Sequence, residues 1–147
     1  MKSPDMTGLV ALIKEFEGCR LKAYKCPSGV WTCGWGSTGP DVDQNTVWTQ
    51  EQADARMEKD MNKFMELTVQ LSPVLRAYPN KWQAVADFVY NCGPGAYQKS
   101  TLRKMVNAED WDAAVGEFRK WTKGGGKVLP GLVRRREEEI KLFLSRA

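Results

Sequence analysis

Histidine is absent from this sequence of 147 residues. That removes Ser-His-Asp and Cys-His nucleophilic sites and the common His-containing zinc hydrolase sites. Acid–base work near neutral pH must therefore fall to Glu, Asp, Cys, Tyr or Lys. Cysteine is scarce: Cys19, Cys26, Cys33 and Cys92 form no C-x-x-C pair, and their spacing does not match a zinc knuckle. No apolar run approaches the length that crosses a membrane. The opening MKSPDMTGLV holds no hydrophobic segment of signal-peptide length, so the chain as given reads as not self-exporting. There is no internal repeat, low-complexity tract or domain linker, and no metal or organic cofactor is implied.

What is present suits an ordinary globular protein. The hydrophobic fraction is 42% and the charged fraction 27%. Residues 1–147 read as one domain, long enough to bury a real core. The formal charge of +4, from 22 basic and 18 acidic residues, suits a polyanionic partner or simply keeps the protein soluble. No recognisable motif or clustered basic–aromatic surface favours nucleic acid.

The stretch from Glu17 to Gly36, EGCRLKAYKCPSGVWTCGWG, carries the densest chemical signal. Leu9, Leu12, Ile13 and Phe16 fall on one helical face. Thr7 is placed to cap that helix, and Gly18 to end it in a left-handed conformation. Glu17 thus lies at the negative end of a helix dipole, where partial burial also favours the protonated carboxyl. Ala23–Cys26 and Val30–Gly36 read as strands about the turn Pro27-Ser28-Gly29. In that register Cys26 faces Val30, Tyr24 faces Thr32, and the side chains of Cys26 and Thr32 share a face. Gly34 and Gly36 flank Trp35 and mark close approach by a ligand or another backbone.

After a loop from Ser37 to Val47, Thr49-x-x-Gln52 is a capping box that starts a long connector helix. Its stripe of Ala53, Met57, Met61, Phe64, Thr68 and Leu71 runs to Ser72-Pro73. The remainder reads as helices. Asn80-x-x-Gln83 is expected to cap one with Trp82, Val85, Ala86 and Val89 buried, ending before Gly93. Ser100 caps a second, carrying Leu102, Met105 and Val106, and Trp111, Ala114, Val115 and Phe118 mark a third. Gly124-Gly125-Gly126 breaks the chain, and Pro130-Gly131 opens a last helix bearing Ile140, Phe143 and Leu144. Arg134-Arg135-Arg136 followed by Glu137-Glu138-Glu139 reads as a solvated face of i,i+3 and i,i+4 pairs. Trp82, Trp111 and Trp121 are expected in the core. Tyr24, Trp31 and Trp35, beside the hairpin, are the candidates for a sugar-binding cleft.

A carboxyl tuned upward, opposite a group that holds water or attacks carbon, is the recurring means of cleaving a glycosidic bond. Glu17, Cys26 and Thr32 offer such groups as Glu-x8-Cys-x5-Thr. The segment EGCRLKAYKCPSGVWTCGWGSTG resembles the catalytic segment of phage lysozymes, the endolysins of glycoside hydrolase family 24. Their pattern is Glu, eight residues, Asp or Cys, five residues, Thr. The resemblance continues through QAVADFVYNCGPGAYQKSTLRKMVN and DAAVGEFRKW to GGGKVLPGLVRRREEEIKLF.

The resemblance implies an α+β, lysozyme-like fold: a small lobe containing a β-hairpin, joined by a long helix to a mainly helical lobe. It implies hydrolysis of the β-1,4 bond between N-acetylmuramic acid and N-acetylglucosamine in peptidoglycan. Glu17 would be the general acid, Thr32 would help place the water, and Cys26 would occupy the second catalytic position. As a thiol, Cys26 either assists attack by water with inversion, attacks the sugar itself with retention, or merely packs while Glu17 acts nearly alone. Cys19 is a candidate regulatory thiol, since a Cys19–Cys26 disulfide would cap the catalytic position until exchange frees it. Four ordinary reduced cysteines are the plain alternative, with Cys33 and Cys92 as core thiols. The resemblance further implies a monomer, without stable membrane insertion, made in the bacterial cytoplasm. A separate membrane-lesion protein would let it reach the wall, and a removed signal-anchor would change that route. A lytic transglycosylase using Glu17 alone and a catalytically inactive wall-binding module remain open alternatives.

Overall fold

The computed structural model describes residues 4–146; Met1–Ser3 of the opening segment lie outside the described residues. The chain begins with α1 (Thr7–Glu17), followed by an antiparallel hairpin of β1 (Arg20–Lys25) and β2 (Trp31–Gly34). The long α2 (Gln50–Leu71) and a 3₁₀ turn (Pro73–Ala77) lead to α3 (Pro79–Cys92). Then come α4 (Pro94–Lys99), α5 (Thr101–Asn107) and α6 (Trp111–Phe118). A short hairpin of β3 (Lys123–Gly124) and β4 (Lys127–Val128) precedes α7 (Pro130–Leu144). The fold is the mixed, mainly helical architecture with small antiparallel sheets expected of a lysozyme-like chain.

The centre of the molecule is α3. Trp82 through Val89 are all buried, and α7, α2 and α1 pack around them. A helix with only Gln83 and Asp87 as polar residues in this stretch has to be surrounded in this way, and those two find partners on α1 and α7. Phe88 sits edge-on to Tyr97, Phe118 and Trp121, and Phe143 edge-on to Phe118 and Trp111. Trp82 lies in the core as expected, donating its indole N–H to the Met65 carbonyl at 2.8 Å. Trp111 and Trp121 pack against its edge.

Several local expectations hold. The capping box of α2 is complete: the Gln52 N–H donates to the Thr49 hydroxyl at 3.1 Å, and the Thr49 N–H to the Gln52 carboxamide at 2.9 Å. The Ser100 hydroxyl accepts from the Arg103 N–H at 3.0 Å, and Pro130 occupies the first turn of α7. Tyr24 pairs with Thr32 and Lys25 with Trp31, while the Cys26 N–H donates to the Val30 carbonyl at 3.0 Å. The ladder is irregular only upstream, between Arg20 and Tyr24.

Others need correcting. Thr7 does not cap α1; its N–H and hydroxyl both donate to Asp5, at 2.9 and 2.7 Å. Asn80 and Gln83 do not cap α3, which opens on Pro79. The Gln83 carboxamide instead accepts from the N–H groups of Gly8 and Leu9, at 2.8 and 3.1 Å, and so satisfies the start of α1 from a distant helix. Strand β1 starts earlier than expected, because Val47 and its neighbours pair with Leu21, Lys22 and Ala23 and extend the ladder. The glycine run is the turn of the β3–β4 hairpin, with Gly125 and Gly126 at φ 59° and 81°. The short α4 and the 3₁₀ turn were not foreseen. The Arg–Glu run is a solvated face only in part: Arg134, Glu137 and Glu138 reach solvent, whereas Arg135, Arg136 and Glu139 are buried.

Candidate active site

Glu17 is the last residue of α1, and the chain leaves the helix through Gly18 at φ 65°. Its carboxyl is held from two sides. On one side it meets the backbone of Gly36, where an added Cβ would lie 2.5 Å from Oε1. At φ 87°, Gly36 also occupies a conformation that disfavours side chains. The close approach inferred for Gly36 is therefore made by Glu17, whereas Gly34 makes room for the Trp48 ring. On the other side Arg135, from α7, donates through Nη1 to Oε2 at 2.6 Å.

The hairpin brings Tyr24, Cys26 and Thr32 to one face. The Cys26 Sγ lies 2.9 Å from the Ser28 hydroxyl, and the buried Thr32 donates its hydroxyl to the Val30 carbonyl at 3.0 Å. Burial pushes the Cys26 thiol up, but Ser28, the backbone around Val30 and the nearby Thr32 hydroxyl together draw it below an ordinary thiol. The Tyr24 phenol is raised, first by burial and then by the negative charge of Glu17, with Cys26 adding to it. Tyr24 thus links the helix-end acid electrostatically to the hairpin face. Its ring also stacks under the Arg20 guanidinium at 4.3 Å.

The two candidate cleft tryptophans are placed differently. Trp31 is half-buried on the hairpin, with the Lys25 ammonium 5.3 Å from its ring centre. Trp35 packs against the core and donates its indole N–H to Asp54 at 2.8 Å. Its carbonyl accepts from the Tyr90 hydroxyl at 2.6 Å, which ties the end of the hairpin to α3.

Cys19 and Cys26 are free, as are Cys33 and Cys92. Cys19 contacts Gln50 and flanks one end of β1, whereas Cys26 flanks the other. A strand advances about 3.3 Å per residue, and a disulfide needs Cα atoms within roughly 7 Å. A Cys19–Cys26 bond therefore demands that β1 be dismantled. Cys33 is a core thiol; Cys92, at the core edge, accepts from Arg136 at 3.0 Å.

Behind Glu17 lies the part that the sequence reading missed. Arg135 donates through Nε and Nη2 to both oxygens of Asp87, at 2.9 and 2.8 Å. Arg136 donates to Glu139 and Asn91, at 2.9 and 2.7 Å. A signal for this exists in the spacing, because Arg136, Glu139, Ile140 and Phe143 form one helical stripe. Asp87 likewise interrupts the otherwise apolar run Val85–Val89.

A cavity of about 410 Å³ opens here, lined by Phe16, Glu17, Asn91, Leu132 and Arg135 among others. A second of equal size, by Tyr78, Trp111 and Leu144, shares no residue with it. Its charged lining residues are Lys81 and Arg146, and it has no carboxylic acid to protonate a leaving oxygen. The described residues hold no cluster of side chains able to bind a metal ion.

Comparison with known proteins identifies relatives of the chain as a whole. The family model described as "Phage lysozyme" matches residues 14–139. The endolysin of Acyrthosiphon pisum secondary endosymbiont phage 1 is 42% identical over 143 residues, covering 94% of this chain and 95% of that protein. The endolysin of Bacillus phage B103 is 41% identical over 138 residues, 92% of this chain, and the chain spans 52% of its length. The solved muramidase domain of SpmX from Asticaccaulis excentricus superimposes with a TM-score of 0.82 at 30% identity, covering 99% of this chain and 100% of that one. This chain belongs to the phage lysozyme family.

Proposed function

We propose that the chain is a peptidoglycan-cleaving endolysin that hydrolyses the β-1,4 bond between N-acetylmuramic acid and N-acetylglucosamine. The observation that carries this reading is the fixed carboxyl of Glu17, held between Arg135 and Gly36 and lining a cavity. Glu17 protonates the glycosidic oxygen as the bond to the anomeric carbon breaks. Water, oriented by Thr32 and Cys26, adds to that carbon and gives up its proton to solvent, and Glu17 regains a proton from solvent before the next cleavage. The Thr32 hydroxyl spends its proton on the Val30 carbonyl, which leaves its lone pairs to accept from a water. Cys26, drawn toward the thiolate by its neighbours, offers a second acceptor. Inversion is the expected stereochemistry for such a water.

The enzyme would act on the host wall from inside as a monomer, after another protein opens the membrane. Among the described residues no helix is long and apolar enough to cross a membrane. Product analysis of digested, purified peptidoglycan tests the reading. New reducing ends with an inverted first anomer are expected. A 1,6-anhydro product would replace hydrolysis by transglycosylation, a retained anomer would make Cys26 the nucleophile, and wall binding without product would leave a binding module.

A further inference from the structure

The cavity without an acid is built for a different task. Two of its walls are the rings of Tyr78 and Trp111, set edge-on with centres 5.1 Å apart, and a third is the exposed side chain of Leu144. Beside them the half-buried Lys81 donates its ammonium to the Phe143 carbonyl at 2.8 Å. That is its one hydrogen bond among the described residues, from a group with three donors. The same ammonium lies 4.6 and 5.2 Å from the ring centres of Phe143 and Trp111. Among the described residues it joins no ion pair, and burial draws its pKa down with no carboxylate to offset the shift. Glu109 accepts from the Tyr78 hydroxyl at 3.1 Å but does not line the cavity. The other charged lining residue, Arg146, is a second cation.

A half-buried ammonium with spare donors and no counter-charge favours an anion. Rings and a leucine beside it favour an apolar surface attached to that anion. We propose that this cavity is a second wall-binding site, which takes a carboxylate-bearing muramyl peptide with the carboxylate on Lys81 and the apolar parts of sugar and peptide against Tyr78, Trp111 and Leu144. Peptidoglycan offers both features together and repeats them along one polymer.

The place of the cavity in the fold suits an anchor. Leu132 lines the Glu17 cavity and Leu144 lines this one, at opposite ends of α7. At 1.5 Å per residue they stand about 18 Å apart along the helix. A ligand here cannot enter the reaction at Glu17, but a second contact on the same polymer raises retention through effective concentration.

The inference rests on peptidoglycan being the substrate, and the test keeps the two claims apart. In isotope-labelled protein, muramyl dipeptide, which carries one free carboxylate, should shift the indole N–H signal of Trp111, assigned through Trp111→Phe. Its analogue with that carboxylate amidated should bind about tenfold more weakly, the cost of one charge-assisted hydrogen bond, and Lys81→Gln should weaken muramyl dipeptide as much. Equal binding of the two ligands, an undiminished shift in Lys81→Gln, or an equal shift with acetate overturns the site. Product release from peptidoglycan without any Trp111 shift would overturn the site and keep the enzyme. A carboxylate-dependent Trp111 shift in a protein that releases no product would keep the site and sink the enzyme. On intact sacculi, the retained fraction of Glu17→Gln should fall at least about threefold when Lys81→Gln is added. Unchanged retention overturns the anchoring role. If Lys81→Gln fails to fold, the amidated analogue decides.

Discussion

Two regions meet at Glu17 and are built on opposite principles. The hairpin in front is short, half-exposed and local: Tyr24, Cys26 and Thr32 fall into place through a three-residue turn and one antiparallel register. The cluster behind is buried and long-range, since Asp87 and Arg135 are 48 positions apart and Arg135 and Glu17 are 118 apart. The front supplies groups that can touch substrate. The back supplies fixed charge, buried except where Asn91 and Arg135 line the cavity. Candidate chemistry and support are thus divided between a half-exposed hairpin and a mostly buried cluster.

The sharpest way to break that division is at its hinge. Glu17→Gln keeps the shape but removes the proton, so reducing-end release should fall about 10²- to 10⁴-fold while the urea midpoint hardly moves. Retained activity would sink the role given to Glu17. Asp87→Ala should do the reverse in emphasis. It leaves two of the three Arg135 donors without a partner in the interior and should cost about 3–5 kcal/mol in urea unfolding. A midpoint like that of the parent would show that the cluster carries no stability.

Gly36→Ala lies between the two. Its Cβ would stand 2.5 Å from Glu17 Oε1 at a left-handed φ, so about 1–3 kcal/mol of stability and part of the activity should be lost together. Loss of stability alone would separate Gly36 from the placement of the acid. The smallest effect is expected at Cys26. With its thiol below the ordinary range, iodoacetamide should label Cys26 with a pH midpoint lower than that of an unstructured thiol peptide. Ser28→Ala removes one source of that depression, so the midpoint should move upward. No movement would remove Ser28 as the cause.

The legibility of the two regions follows the same division. The α1 stripe, the α2 capping box and the Tyr24–Thr32 register could all be read because each depends on residues a few positions apart. The Thr7 and Asn80 caps were misjudged for a related reason. A capping residue type shows that an N–H can be satisfied locally, but Asp5 and the distant Gln83 do it here. The run Arg134–Glu139 misled most, because an unbroken charged run on a helix resembles a wet surface until its stripe is aligned with Ile140 and Phe143.

By itself the sequence determined the longer helices and the hairpin register, and it offered Glu17, Cys26 and Thr32 as candidates. It did so because turn length, strand alternation and helical period are local and admit few solutions. Only the tertiary structure decided that Arg135 reaches Glu17, that Asp87 and Glu139 share a dry interior, and that Gly36 abuts the acid. Those facts arise from packing α3 against α1 and α7, where burial, and not spacing, determines which charges can exist.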